Sequence, residues 1–199
     1  MTQTLSKPID QRLTHSGMSW QQFVLLQEIF TDSPGIRLFY YQGEIEILAV
    51  SQDHEVFSCL IGILLAIYFE EYEIEFNPTG SFTQEKEGVA SAQADKSYFI
   101  GQTGGTTPDL SIEVVFTSGN LSKLNRYQEL GVPEVWFWED GLFTLHHLRG
   151  DGYERIYTSE VLVDLDIDLL TRCLLMTSRI EAMKSFRRGI VKASQRNDK

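Results

Sequence analysis

The sequence predicts an α/β fold of the mixed α+β kind, with one mixed sheet that carries helices on both sides. The first observation is the order of segments with helical or strand periodicity, which runs helix, hairpin, helix, strands, helix, strands, helix. The second is a segment at residues 59–69 that is apolar on nearly every side, as expected of a helix packed against a sheet. The third is the length of 199 residues, which suits a single domain over residues 1–199.

Turn and cap signals divide the first half of the chain. Pro34 and Gly35 together favour a turn after the first apolar helical stripe. Gln42-Gly43 lies between two short strand-like runs, which is a hairpin signal. The predicted elements are a polar lead-in at residues 1–17, a helix at 19–30, strands at 36–41 and 44–49, and a helix from a capping Ser51 or Asp53 to about residue 71.

The second half alternates short strands with helices. Asn120 is a good helix cap and Gly131 followed by Pro133 is a good stop, so one helix between them is well bounded. The predicted elements are strands at 73–76, around Phe82, at 97–100 and at 110–116, a helix at 121–130, a strand at 134–138, a hairpin of 142–148 with 153–158, and helical structure from residue 165 that includes a basic tail at 176–199.

Composition is that of a globular protein, with 42% hydrophobic and 23% charged residues. No apolar run reaches the roughly 18 residues of a membrane-spanning helix, and the N-terminus lacks the apolar segment of a secretory signal. Cys59 and Cys173 lie far apart in apolar stretches, so we expect them to be reduced, buried and inert. We therefore expect a cytoplasmic protein without a membrane partner.

Charge is distributed unevenly along the chain. The net charge is −11, but residues 171–199 carry eight Lys and Arg against two Asp and Glu. The acidic body argues against tight, general DNA binding, and the basic tail is either a solvated helix end or an electrostatic contact.

Residues 108–116, with the sequence PDLSIEVVF, carry the strongest sign of a functional site. As a strand, this segment turns Leu110, Ile112, Val114 and Phe116 to one, apolar face and Glu113 to the other. A carboxylate on a half-buried sheet is paired, hydrogen-bonded or metal-bound, because burying it alone is costly. The alternative is a glutamate at the sheet end that faces water.

Asp95 is the candidate partner of Glu113, because it lies in the polar stretch 92–97 just before an apolar run and could lie beside Glu113 on an adjacent strand. Two oxygen ligands of this type suit Mg²⁺ or Mn²⁺ better than zinc, which prefers His and Cys. Asp109 is excluded as the partner, because four residues of strand separate it from Glu113 by about 13 Å.

Lys123 falls in the first turn of its predicted helix, where the helix dipole disfavours a cation. Such a lysine is either solvated or held for a nearby anion. In the second case its ammonium reaches the carboxylates and stabilises negative charge on a phosphate.

These motifs resemble the Uma-type family of putative restriction endonucleases, within the PD-(D/E)xK superfamily. The resemblance covers residues 18–175 and rests on YYQGEIEIL, the following His54-Glu55, GSFT, ADKSYFI, PDLSIEVVFTSGNLSKLNRYQELGVPEVWFW and SEVLVDLDIDLL. It implies a restriction-endonuclease-like fold and metal-dependent hydrolysis of DNA by a homodimer.

The resemblance also assigns residues. Asp95 and Glu113 correspond to the acidic metal ligands, while Ala94 stands where the superfamily has proline and Val115 stands where it has lysine. Lys123 occupies the place of a lysine that this family carries in the next helix.

Two further residues match family positions. Glu46 could add a third carboxylate ligand, and His54 could contact phosphate or act as a base. The alternatives are a surface strand residue and a helix-end histidine, and these we prefer.

The leading hypothesis is thus an endonuclease that uses Mg²⁺ or Mn²⁺ and acts on DNA. The alternative, favoured by Val115 and by the net charge, is a catalytically degenerate member that serves as a nucleic-acid or protein binding or oligomerisation module.

Overall fold

The computed structural model describes residues 10–80, 82–101, 105–116 and 120–197. Within them the chain forms helices and two β-sheets, which confirms the mixed α+β class. The elements are β1 (Gln11–Ser16), α1 (Trp20–Ile29), β2 (Ile36–Tyr41), β3 (Glu44–Ala49), α2 (Gln52–Glu71), β4 (Phe76–Pro78), β5 (Gln84–Lys86), β6 (Ala90–Ala92), β7 (Lys96–Ile100), β8 (Leu110–Val115), α3 (Asn120–Leu130), β9 (Glu134–Glu139), β10 (Leu142–Arg149), β11 (Gly152–Ile156), α4 (Ile167–Leu174) and α5 (Arg179–Asn197).

The first sheet is antiparallel and has the strand order β1-β3-β2-β6-β5. The β2–β3 hairpin turns at Gln42 and Gly43, whose φ angles are 45° and 89°, and glycine adopts the second without strain. Helix α1 packs on this hairpin through Phe23, which meets the rings of Trp20 and Tyr40.

The second sheet has the order β11-β10-β9-β8-β7-β4 and is mixed, because β8 and β9 pair in parallel while the other neighbours are antiparallel. A parallel pair requires a crossover, and α3 supplies it. Helices α2, α4 and α5 pack on one face of this sheet, and α3 lies on the other, between the two sheets.

Strand β8 is buried on both faces. Leu110, Ile112 and Val114 belong to the core shared with α2, α4 and α5, whereas Val115 belongs to the core under α3. The predicted phasing is therefore confirmed for these three residues, and Glu113 lies on the α3 side, between the sheets. Phe116, predicted on the same apolar face, follows the end of β8 and is 42% exposed.

Several details of the prediction are wrong. The strands form two sheets instead of one, and Gln11–Ser16 of the expected lead-in is an edge strand paired with β3. Strand β6 was not predicted, and the strand expected at residues 73–76 lies at Phe76–Pro78. The expected C-terminal helical segment is two helices, because the chain leaves the helix between Leu174 and Arg179.

Cys59 is exposed on α2, which corrects its expected burial, while Cys173 is buried as expected. Helix α2 has 20 residues and is long and apolar enough to cross a membrane, but half of its most apolar 18-residue stretch is buried inside the protein. Leu64 and Leu65 of this helix are fully enclosed in the core, which is the behaviour of a core helix.

Candidate active site

Asp95 and Glu113 are brought together by the pairing of β7 with β8. Lys96 lies opposite Ile112 in the antiparallel register, so continuing that register by one residue places Asp95 opposite Glu113. Oδ2 of Asp95 accepts a hydrogen bond of 2.8 Å from the backbone N–H of Val114. Both carboxylates are buried. The exposed alternative for Glu113 is therefore wrong.

Asp109 lies elsewhere, as predicted. Its Oδ2 accepts a hydrogen bond of 2.8 Å from the backbone N–H of Ile100, so this carboxylate ties β7 to the start of β8.

The Glu113 carboxylate is enclosed by two side chains of α3. The Lys123 ammonium lies 3.3 Å from Oε2, and the Tyr127 hydroxyl donates a hydrogen bond to Oε1. Burial raises the pKa of Glu113, and the positive charge of Lys123 opposes that rise only in part. Burial and the neighbouring Glu113 also raise the pKa of Tyr127, which keeps its hydroxyl protonated and able to donate.

Lys123 points inward. Its side chain is only 4% exposed, so the interpretation as a solvated surface lysine is wrong. Lys123, Arg126 and Tyr127 share one face of α3 by their helical spacing. The Lys123 ammonium lies 5.5 Å and the Arg126 guanidinium 4.3 Å from the centre of the Phe39 ring, which gives both cations an aromatic face.

Glu46 is buried on β3, beside these cations. Its Oε2 lies 3.1 Å from Arg126 and 3.2 Å from Arg12. Burial acts to raise the pKa of Glu46, but Arg126, Lys123 and Arg12 together outweigh it, so the pKa is lowered and the group is ionised. Oε1 is buried and has no hydrogen-bond partner. Glu46 is therefore not the surface strand residue that we preferred.

His54 is fully buried between two carboxylates. Its Nδ1 forms a 2.8 Å hydrogen bond with Oδ2 of Asp10, and its Nε2 makes an ion-pair contact of 2.8 Å with Oδ1 of Asp95. Burial acts to lower the pKa of His54, but Asp95 and then Asp10 raise it by more, which favours the imidazolium. In this arrangement no ring nitrogen is directed at a substrate, and the imidazolium has no lone pair with which to act as a base.

A cavity of about 240 Å³ reaches Asp95 from outside. Arg37 and Glu55 line it and form an ion pair of 3.2 Å, and the Arg37 Nε lies 3.8 Å from Oδ1 of Asp95. Glu113 and Lys123 do not line this cavity. Asp95 therefore stands between the cavity and the buried Glu113–Lys123 pair.

The carboxylates in this cluster fit a hard divalent cation. Asp95, one residue before β7, and Glu113 offer oxygen ligands opposite each other, and Oε1 of Glu46, beside Arg126, is a buried acceptor without a hydrogen-bond partner. Among the described residues, no group of three His, Cys, Asp or Glu forms a complete metal cluster.

Four residues of the site were missed by sequence reasoning or assigned no role: Asp10, Arg37, Arg126 and Tyr127. The helical spacing from Lys123 could have identified Arg126 as well as Tyr127, because residues three and four positions apart share a face. Asp10 lies in the polar segment expected to be a lead-in, and Arg37 lies in a hairpin strand. Only tertiary structure brings these two to the site.

The comparison with protein families gives one match. The family model of Uma2, described as a putative restriction endonuclease, matches residues 20–174. The chain belongs to the Uma2 family. No curated protein matches it. The Uma2 match includes Glu46, His54, Asp95, Glu113 and Lys123, and the mixed α+β architecture is consistent with a restriction-endonuclease-like fold.

Proposed function

We propose that this protein is a metal-dependent DNA endonuclease, in which Asp95 and Glu113 hold Mg²⁺ or Mn²⁺ and Lys123 is the catalytic cation. The observation that carries the proposal is the contact of 3.3 Å between the Lys123 ammonium and Glu113, the carboxylate that faces Asp95 across β7 and β8. The description of the Uma2 family supports the same class of reaction.

Lys123 takes over the task of the lysine that Val115 replaces. Val115 is buried in the apolar core under α3 and offers no charge. The Lys123 ammonium contacts Glu113 from the facing helix instead, and its positive charge would offset negative charge on a phosphate held at the carboxylate pair.

The cation would supply Lewis acidity for phosphodiester hydrolysis, by lowering the pKa of water and offsetting negative charge on the phosphate. The protein groups supply orientation. The Val114 N–H directs Asp95, and the Tyr127 hydroxyl directs Glu113, so both carboxylates keep their rotamers in a site largely closed to water. Glu46 holds Arg126 and adds negative charge near Lys123.

The substrate is DNA, and we propose a homodimer as the working form. Two copies related by a twofold axis would present one site to each strand of a duplex. Size-exclusion chromatography with light scattering tests this point, since a monomer at assay concentration with full double-strand cleavage would contradict it.

Cleavage of supercoiled plasmid and of single-stranded DNA tests the proposal. We expect the wild type to cut at least one of them with Mg²⁺ or Mn²⁺ and not with chelator. Glu113→Gln and Asp95→Asn should each lower the rate at least 100-fold, because each removes a negative ligand. Glu154→Gln is the matched control, since Glu154 is an exposed partner of Arg149 on β11, and it should cut as the wild type does.

A non-cleaving family member is the second candidate. It is favoured by Val115 and by the pairing of each carboxylate with a protein cation, Glu113 with Lys123 and Asp95 with His54. In that case the domain binds nucleic acid or protein. A folded wild type that cuts no substrate with either metal would support this candidate and overturn the endonuclease.

A further inference from the structure

Asp10 is connected to the candidate site by a chain of buried contacts. It lies one residue before β1, outside the part of the chain that matches the family model. Its Oδ2 binds Nδ1 of His54 at 2.8 Å, and the opposite ring nitrogen, Nε2, lies 2.8 Å from Asp95. All three side chains are buried, and that of His54 is fully buried.

Asp10 is also held in place itself. Its Oδ1 accepts a hydrogen bond of 2.7 Å from the backbone N–H of Ser51, the residue that caps α2. Both oxygens of Asp10 are therefore used, one by the start of α2 and one by the imidazole. The position of Asp10 is set by the same helix that carries His54.

A purely structural role does not account for this arrangement. Burying two carboxylates on either side of an imidazole carries a large desolvation cost, and apolar side chains of similar volume often stabilise a protein equally well or better. Nε2 of the imidazole contacts Asp95, which is one of the two proposed metal ligands. Nε2 lies 2.8 Å from Oδ1 of Asp95, while the Val114 N–H donates a hydrogen bond to Oδ2, so each oxygen of Asp95 has one close neighbour in the protein.

We propose that Asp10 is a positioning residue of the metal site: it orients His54, and through His54 it holds Asp95 in the conformation that receives the cation. This inference rests on the proposed function. Asp10 itself does not touch substrate or cation. Its contribution reaches the reaction only through the imidazole.

Asp10→Asn is the first test, because it keeps the size of the side chain and removes one acceptor. Asparagine has a single acceptor oxygen, whereas Asp10 accepts from two donors, so either Ser51 or the Nδ1–H of His54 loses its acceptor. We expect kcat to fall about 10–100-fold with KM for DNA unchanged, in line with losses seen when groups behind metal ligands are removed. Mn²⁺ affinity measured by calorimetry should fall in the same proportion.

Ser51→Ala is the matched control. The Ser51 hydroxyl caps the same helix by accepting from the His54 backbone N–H at 3.3 Å, and its loss leaves the Asp10–His54–Asp95 contacts intact. Both variants should lower the melting temperature, but Ser51→Ala should retain wild-type kcat. Equal kcat in Asp10→Asn, Ser51→Ala and wild type would overturn the proposal.

His54→Gln provides a second variant in case Asp10→Asn does not fold. It removes the imidazole that contacts both Asp10 and Asp95, while Asp10 still accepts from the Ser51 N–H. His54→Gln should therefore lower kcat as Asp10→Asn does. The kcat of the double variant Asp10→Asn/His54→Gln should be no lower than that of His54→Gln alone. Losses that multiply in the double variant would show that Asp10 acts independently of His54 and would overturn the inference.

An NMR measurement separates this inference from the proposed function. The chain has four histidines, so His54→Gln assigns the imidazole signals of His54 in protein labelled with ¹⁵N. We expect a slowly exchanging, strongly downfield Nδ1–H proton that Asp10→Asn removes. A wild type that neither cuts DNA nor binds Mn²⁺ would overturn the proposed function. A His54 signal unchanged by Asp10→Asn would overturn the role of Asp10 whatever the activity.

Discussion

The ammonium of Lys123 lies against the Glu113 carboxylate and the ring of Phe39, and it also interacts electrostatically with Glu46. The inward orientation of this side chain could be predicted in part from the sequence. The helix dipole disfavours a lysine in the first turn of a helix, so a lysine there suggests a nearby anion. The identity of its partner was also foreseeable, since the β8 phasing turns Glu113 away from the apolar face. The partners of Glu46 and His54 could not be predicted, because they are distant in sequence. Arg126 is 80 positions from Glu46, and Asp10 is 44 positions from His54.

Removing Lys123 should leave Glu113 buried without its cation. Breaking a buried ion pair from one side costs about 3–5 kcal/mol, so Lys123→Met should lower the free energy of unfolding by roughly that amount. Glu113→Gln/Lys123→Met should lose less than the two single variants combined, by at least about 1 kcal/mol. Urea unfolding of the four proteins measures this coupling, and additive losses would contradict the ion pair.

The loss of unfolding free energy caused by Lys123→Met should grow as the pH rises. Burial already raises the pKa of Glu113 above its ordinary value of 4.5, and loss of the Lys123 charge raises it further. A carboxyl with a raised folded-state pKa stabilises the folded protein most below its unfolded pKa, and that contribution is lost as pH rises through the folded-state pKa. The difference in unfolding free energy from wild type should thus be larger near pH 8 than near pH 5. Glu113→Gln/Lys123→Met, which lacks the carboxyl, serves as the reference. If the difference in unfolding free energy between Lys123→Met and wild type did not change with pH, the raised pKa of Glu113 would be contradicted.

At the scale of elements, local signals account for what sequence reasoning found. Helix α1, the β2–β3 hairpin and α2 carry their own caps and turns, so their predicted bounds lie within one or two residues of those observed. Strands β4, β5 and β6 have three residues each, too few for a period to show, and pairing with distant strands defines them. Strand β1 is an edge strand with exposed side chains on both faces, so it shows no apolar alternation.

The capping box of α1 should contribute measurably to stability. Ser19 Oγ accepts from the Gln22 N–H at 3.2 Å, and the Gln22 side chain accepts from the Ser19 N–H at 2.8 Å. Ser19→Ala should lower the free energy of unfolding by about 1 kcal/mol, whereas Ser19→Asp should nearly retain it, because aspartate also caps well. Chemical denaturation measures both, and equal losses would exclude a capping contribution.

At the scale of the whole molecule, the candidate site depends on how the two sheets are joined. Glu46 comes from the first sheet, Glu113 from the second, and α3 lies between them with Lys123 and Arg126. No single segment of sequence contains this arrangement. Helix α5 packs on α2 instead, with Arg187 paired to Glu70 and Glu71 at the end of α2 opposite His54. The rise of a helix puts that end about 24 Å from the site.

The exposed Arg188 and Lys192 of α5 should therefore affect DNA affinity without affecting the rate of the chemical step. Arg188→Gln/Lys192→Gln should raise the Kd for duplex DNA and lower the slope of log K against log salt by about 1 for each lost phosphate contact. The kcat at saturating DNA should not change. Arg149→Gln/Arg155→Gln makes the same change in net charge on β10 and β11 and is the matched control. An equal rise in Kd from both pairs would assign the effect to net charge alone.

Binding of Mn²⁺ to the intact protein, followed by calorimetry or electron paramagnetic resonance, tests the carboxylate pair most directly. We expect saturable binding by the wild type, at least tenfold weaker binding by Glu113→Gln, and unchanged binding by the exposed variant Glu154→Gln. Wild-type Mn²⁺ affinity in a folded Glu113→Gln would contradict the assignment of Glu113 and Asp95 as the metal ligands.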